Sequence, residues 1–503
     1  MITARRTCVL ALLLALHAAA AGLGERIDGL IDASAAARSA FWGIQIVDLG
    51  SGETLYQRNQ DSYFVPASNT KLFTTAMALT RLGPDFTFQT RVLADHRPDA
   101  EGTVRGSLRL VGGGDPNLSP RALPYSMTTG TQAPEGNPLE AIDALAAQVA
   151  ARGVKRVTGD IIGDDTCYLW EPYGVGWGLM DPDGEDGAPI SALTVNDNAI
   201  TLTVRPGAIE GQPAVLAWRP AIEYYHIVNH VQTIVTGGQR RIHFARLPGS
   251  TEARIWGTIP LRDPGQDLLL AVDDPARFAA MALRAALVKR GITVTGRARA
   301  RHLYPDEVAD PTIAPPQPPM QGVVMARRTS APLIQDLQVT DKVSQNLHAE
   351  MALRAVAQAR RNIGSFEAGL EELKAFLSDA GLDPDSYRFY DGSGLSRNNL
   401  VTPAGVVKLL RYMYASPLRD KWVSLLPVGG QDGTLSTRFR NDDAAAGRVH
   451  AKTGSLAHVS ALSGYIQRKD ESWVVFSILV NDFATPAADV HSVMDKICDA
   501  VVE

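Results

Sequence analysis

The sequence predicts an α+β fold: an antiparallel sheet flanked by helices, in a domain interrupted by a long insertion that forms two smaller domains. Three features carry that expectation. The chain ends in two β-type apolar runs, residues 459–468 and 473–480, followed by a helix in which Val490, Val493, Ile497 and Val501 share one face. Beyond an apolar leader it begins with two similar runs, 41–49 and 53–57, around Gly50-Ser51-Gly52, so the two ends of the chain suit a single sheet. Between them lies a long stretch of different character, closed by the Pro-rich segment 311–319.

Taken in order, the leader has Arg5 and Arg6 ahead of an apolar core at 9–21, with Ala19, Ala20 and Ala21 as a cleavage site. Residues 1–21 therefore read as a secretory signal peptide, too short to span a bilayer, and the mature chain starts near Gly22 in an exported, periplasmic setting. Residues 22–90 form the first part of the main domain. Its helix carries Leu72, Ala76 and Leu79 at helical spacing and stops at Gly83-Pro84. The inserted domain opens at 91–198 with strands expected at 86–94 and 103–111, a helix over 139–149 closed by Gly153, and a strand at 155–162. It resumes at 271–310, where Ala286-Leu287-Val288 leading to Val294-Thr295-Gly296 repeats the pattern of Ala147-Gln148-Val149 leading to Val157-Thr158-Gly159. Between these arms, 199–270 alternates like a small nested β-domain. Residues 311–503 complete the main domain, with helices expected at 346–359 and 366–380, a loop at 391–399, and a further helix from Pro403.

Composition narrows the function. Lys and Arg number 49 against 54 Asp and Glu, and 45% of residues are apolar, which excludes a polycationic nucleic-acid binder and a disordered chain. The cysteines, Cys8, Cys167 and Cys498, form no CxxC pair, and no H-E-x-x-H is present, so metal chemistry has no ligand set and no cofactor is expected. Export would permit a Cys167–Cys498 disulfide, but independent buried thiols fit as well.

Three short elements can do chemistry. Ser68 and Lys71 stand three residues apart at a helix start, so they share a face, and a lysine can take the proton that makes a serine hydroxyl nucleophilic. Ser344-Gln345-Asn346 opens another helix, where Ser and Asn are also ordinary caps. Lys452-Thr453-Gly454-Ser455 runs into the strand at 459; such an edge can hold a substrate carboxylate and offer an N–H to an oxyanion. Singly each is equally well a cap or a solvated turn. Their order, with gaps of 276 (344 − 68) and 108 (452 − 344) residues, is that of the penicilloyl-serine transferases. Two other patterns fall away: Gly112-Gly113-Gly114 lacks the Lys-Ser/Thr of a phosphate loop, and Tyr390-Asp391-Gly392-Ser393-Gly394 reads as a surface loop rather than a hydrolase elbow.

With these elements, and with Gly112-Gly113-Gly114-Asp115-Pro116, Gly163-Asp164-Asp165-Thr166, Ser191-Ala192-Leu193, Asp391–Ser396 and Asp432–Leu435, the chain resembles the class C low-molecular-mass penicillin-binding proteins, the D-alanyl-D-alanine carboxypeptidase/endopeptidase family of penicillin-binding protein 4 type. The resemblance implies a β-lactamase/transpeptidase-like domain and a serine-type DD-peptidase acting on peptidoglycan peptides and binding β-lactam antibiotics, with peripheral association with the membrane or cell wall. It implies Ser68 as nucleophile, Lys71 as base and Ser344 as proton relay. Asn346 would orient the lysine and the acyl amide, Lys452 and Thr453 would hold the terminal carboxylate, and Ser455 would give an oxyanion N–H together with Ser68. Asp165, or Asp164 in the neighbouring register, would pair with the amine of a diaminopimelate side chain. Gln345 stands where the family usually has Asp, and His458 where Gly is common. The alternatives are a β-lactamase-like hydrolase and a non-catalytic peptidoglycan-binding scaffold, which would need no nucleophile.

Overall fold

The computed structural model describes residues 22–126, 136–179, 181–247, 249–316, 321–440 and 443–503. The expected signal peptide, with Cys8, and part of the Pro-rich segment lie outside the described residues. The chain divides into two compact units, one of Met1–Leu72, Leu377–Phe389 and Asn398–Glu503, the other of Phe73–Phe376 and Tyr390–Arg397.

The first unit is built on a five-stranded sheet in the order Thr54–Arg58, Phe41–Asp48, Trp473–Asn481, Val459–Gln467, Val449–Leu456. Every pairing is antiparallel, and Phe41 opposite Asn481 through Asp48 opposite Val474 joins the two ends of the chain, as their matching patterns predict. Period-two alternation gives the sheet two faces. Trp42, Ile44, Ile46, Phe476 and Ile478 pack under the helices Leu23–Ala33 and Ala487–Val502, where Val490, Val493, Ile497 and Val501 are all buried. Tyr465 points to the opposite face, where its hydroxyl donates to Leu410 O on the helix Pro403–Ala415. On that face Gly43 leaves room for Phe64: a Cβ at Gly43 would lie 2.2 Å from a Phe64 ring carbon.

The second unit has a mixed five-stranded sheet, ordered Ala298–Leu303, Ile161–Leu169, Leu108–Val111, Gln89–Ala94, Val323–Thr329. The helices Glu140–Ala151 and Pro275–Lys289 share a core with it, and Arg156–Val157 pairs in parallel with Thr293–Val294, so the two similar helix–strand arms lie side by side. Residues 199–271 form two three-stranded sheets. The strand expected over 103–111 is broken, because Gly106 turns at φ 114 with no room for a Cβ beside Asp95; Thr103–Val104 goes to the small parallel sheet and Leu108–Val111 to the large one. The strand expected from 86 begins at Gln89, since the carbonyls of Phe86 and Phe88 are taken by Leu333 N and Ser330 N. The helices Leu333–Lys342, Asn346–Arg361 and Phe366–Asp379 follow. Cys167 and Cys498 are free thiols, one in each unit, so no disulfide joins them.

Candidate active site

In the first unit, the chain reaches Ser68 through a fixed approach. Asn481 at the end of its strand clamps Val65, accepting from its N–H at 2.8 Å and donating to its carbonyl at 3.2 Å. Ala67 then sits at φ 48, a costly conformation for a residue with a Cβ, and Ser68 lies in the 3₁₀ turn Ala67–Asn69 that leads into the helix Thr70–Leu82. Such strain persists only where the surroundings impose it, and here it turns Ser68 outward at the positive end of a helix. Lys71 Nζ lies 2.9 Å from Ser68 Oγ, and its side chain is fully buried while Ser68 is partly exposed.

The strand Val449–Leu456 meets that turn from the side. Asn69 Nδ2 donates to Lys452 O at 3.1 Å, and Gly454 lies so close that a Cβ there would come 2.7 Å from Pro66 O and 3.0 Å from Ser68 N. Glycine is therefore required by close approach. Lys452 is wholly buried, with Nζ donating to Thr453 O; Thr453 Oγ1 is 2.7 Å from Thr434 Oγ1, and Ser455 is exposed. This is the sheet's edge strand. Residues 427–429 pair along its outer side as far as Ala451, and beyond that point no further described strand covers it. The open edge beside Ser68 is a place for a peptide to add as a strand. His458 occupies the hairpin turn at φ 63, which explains why Gly suits that position, and its Nδ1 is 2.8 Å from Phe483 O.

Ser344 and Asn346 belong to the second unit. Ser344 is at φ 64, and the helix cap is Gln345, whose Oε1 accepts from Leu347 N at 3.1 Å; Gln thus does the capping work expected of Ser344 itself. Asn346 Nδ2 donates to Asp186 O at 2.9 Å, so the acidic turn Glu185–Gly187 lies against the start of this helix. Burial, with Asp186 and Asp197 adding to it, lifts the Glu185 carboxyl to about 7.

The helix Asn346–Arg361 is tied down by buried ions. His348, wholly buried, has Nδ1 2.8 Å from Asp336 and Nε2 3.3 Å from Asp197, which in turn pairs with Arg121. Burial alone would lower the imidazole pKa; the two carboxylates outweigh it and raise it to about 9. Two residues on, buried Glu350 accepts from Gly392 N and Ser393 N, each at 2.8 Å. The 391–396 loop is therefore not the surface loop expected: Asp391, Ser393 and Ser396 are buried, and Asp391 accepts from Gly394 N, Ser396 N and Trp177 Nε1.

Asp165, the residue the resemblance assigns to a substrate amine, lies in the second unit. It is 2% exposed and its two oxygens are engaged, one by Ser191 Oγ at 2.8 Å and the other by His302 Nδ1 at 2.9 Å. Asp164 points to the opposite face of the same strand and accepts from Thr166. The first unit thus brings together Ser68, Lys71, Lys452, Thr453 and Ser455; the second holds Ser344 and Asn346 with the acidic turn, whose signal in the sequence was the run Asp181-Pro182-Asp183-Gly184-Glu185-Asp186. Among the described residues no group of three or more His, Cys, Asp or Glu is arranged to hold a metal, and no helix is long and apolar enough to cross a membrane.

Comparison with known proteins bears on the same chain. The model of the D-Ala-D-Ala carboxypeptidase 3 (S13) family matches residues 23–501. A D-alanyl-D-alanine carboxypeptidase of Actinomadura sp. (strain R39) is 36% identical over 476 residues, covering 92% of this chain and 82% of that protein. The D-alanyl-D-alanine carboxypeptidase DacB of Haemophilus influenzae is 25% identical over 444 residues, covering 87% and 85%. The crystal structure of penicillin binding protein 4 from Haemophilus influenzae matches with a TM-score of 0.78 at 23% identity, over 95% of this chain and 99% of that one; the likeness is one of fold. The same protein complexed with a β-lactam gives 0.72 at 22% identity, over 95% and 99%.

Proposed function

The chain belongs to the D-Ala-D-Ala carboxypeptidase 3 (S13) family and is a serine-type peptidase hydrolase of the D-Ala-D-Ala carboxypeptidase/endopeptidase kind, and on that premise we propose which of its residues carry the reaction and on what substrate. The substrate is the stem peptide of peptidoglycan, in the exported space to which residues 1–21 direct the chain. The observation that carries the assignment is the 2.9 Å contact between Lys71 Nζ and Ser68 Oγ in a strained turn beside an open strand edge. Neutral Lys71 takes the hydroxyl proton as Ser68 Oγ bonds to the carbonyl carbon of the penultimate D-Ala. The C–N bond to the last residue then breaks, and Ser344 relays a proton to the departing amine. Water hydrolyses the resulting ester, restoring the Ser68 hydroxyl and freeing the peptide acid. Asn346 orients Lys71 and the acyl amide; Lys452 and Thr453 hold the terminal carboxylate; the N–H groups of Ser68 and Ser455 receive the oxyanion, a term worth about 3 kcal/mol per donor in comparable sites.

The acid that meets the amine of a diaminopimelate side chain is Glu185 rather than Asp165. Glu185 stands on the turn against Asn346, whereas Asp165 is sealed with Ser191 and His302. A β-lactam presents the same carbonyl, so penicillin forms an ester on Ser68 that deacylates slowly. Peptide mapping of the penicillin-treated protein is the test. A penicilloyl group on the peptide containing Ser68 is expected; an adduct on another serine, or none, removes Ser68 from the reaction, and rapid turnover of the drug would instead favour a β-lactamase.

A further inference from the structure

The second unit holds a cavity of about 610 Å³ that the reaction above does not use. It opens on one face of the five-stranded sheet. The other face is covered, as Gly163 shows: a Cβ there would lie 1.9 Å from Ala276 O on the helix Pro275–Lys289. Since neighbours along a strand alternate, Asp164 faces the open side, with Arg301 opposite it in register on one neighbouring strand and Val111 on the other; Arg91 stands opposite Val111. Arg109, two residues before Val111, completes the row. Phe86 and Phe88, edge to face at 5.2 Å, form an apolar wall.

The charges do not balance. Three guanidinium groups line the cavity against the single carboxylate of Asp164, which is 3.9 Å from Arg109 and already accepts from Thr166. Beyond their strand pairing, the side chains of Arg91 and Arg301 make no hydrogen bond or ion pair with any described residue. Gln358, also on the lining, has its Oε1 shut off from solvent with no donor among the described residues. A buried acceptor without a partner is costly, and one facing a cationic cavity calls for a ligand that brings both negative charge and an N–H. Gln358 and Asn346 share one helix twelve residues apart, which at 1.5 Å per residue separates the cavity from the second motif by about 18 Å.

We propose that this cavity is an exosite for a short acidic peptide, its carboxylates on Arg91, Arg109 and Arg301 and an amide N–H on Gln358. The choice of a stem peptide as that ligand rests on the proposed function; the chemistry of the cavity does not. In cross-linked polymer such a site would hold one stem while a neighbouring one is cut.

The test uses the whole protein with Ser68 blocked by penicillin, and the tripeptide L-Ala-γ-D-Glu-diaminopimelate, which lacks the D-Ala-D-Ala bond. Calorimetry is expected to show saturable one-to-one binding, weakened tenfold or more by Arg301→Ala and by Arg91→Ala, weakened by salt, and lost for the tripeptide carboxamide, while both variants keep wild-type turnover of a small D-Ala-D-Ala peptide. No saturable binding, binding that both variants retain, or inorganic phosphate binding as tightly as the tripeptide would overturn the proposal. If penicillin fails to label Ser68, the catalytic assignment falls, and titration of the unmodified protein and its Arg301 variant still decides the exosite.

Discussion

Replacing His348 by Gln removes the one cation placed between Asp336 and Asp197. The imidazole's pKa rises from 6.5 to about 9 on folding, and each unit is worth about 1.4 kcal/mol, so the charged form contributes about 3 kcal/mol. The sign follows from the raised value: the contribution is fully present below pH 6.5 and lost as pH climbs through 9. Glutamine leaves two carboxylates facing each other with one amide donor group between them, and Arg121 keeps Asp197 paired. Urea unfolding of both proteins from pH 6 to pH 10 measures the gap. It should be about 3 kcal/mol near pH 6 and shrink steeply between 7 and 10. His302, lifted to about 9 against burial by Asp165 and Asp274, titrates in the same window but equally in both proteins, so it cancels in the difference. A gap that stays constant across this range would refute the assignment of His348 as a buried imidazolium.

Gly454→Ala should cut the penicillin acylation rate at least tenfold with little loss of thermal stability, because its Cβ would press on Pro66 O and Ser68 N rather than on the core; stopped-flow acylation reads this, and a wild-type rate would contradict it. Lys71→Arg should abolish acylation, since arginine supplies no neutral base, whereas Lys452→Arg should retain part of it by still pairing with a carboxylate; equal losses would end that division of labour. For peptides bearing a free diaminopimelate amine, kcat/KM relative to an N-acetylated analogue should rise as pH passes about 7 and Glu185 ionises, and Glu185→Gln should flatten that ratio. Asp165→Asn should lower stability while leaving the ratio unchanged; a selective loss on the free-amine peptide would return the role to Asp165.

The elements that position Ser68 were legible because they are local patterns with strong periods. The alternation of 473–480 and 41–49 and the one-sided helix after Pro486 state both that a sheet forms and which face is covered, and only a shared sheet satisfies both ends. What the sequence left open was register and punctuation. The break at Gly106 and the late start at Gln89 depend on partners far along the chain, Asp95 and the 330–333 segment, which a window of ten residues does not contain.

The same limit applies to the choice between Asp164 and Asp165. Two adjacent acids on a strand point to opposite faces, so a one-residue choice decides between a cavity and the partners on the covered side. Nothing near Asp164-Asp165 says which face is which: that is fixed by Gly163 packing on Ala276 and by His302, 137 residues away. The acidic turn at 185 was equally unreadable as a site, since runs of Asp, Glu and Gly are ordinary loop composition and only the bond from Asn346 to Asp186 O places it beside the second motif. His348 follows the same rule from the other direction. A histidine in an apolar helix face two residues after Asn346 reads as a core residue, which it is. That it is a charged one follows from Asp197 and Asp336, which the fold brings to it from two separate segments, and with Arg121 they make the start of that helix a fixed point for Ser344 and Asn346.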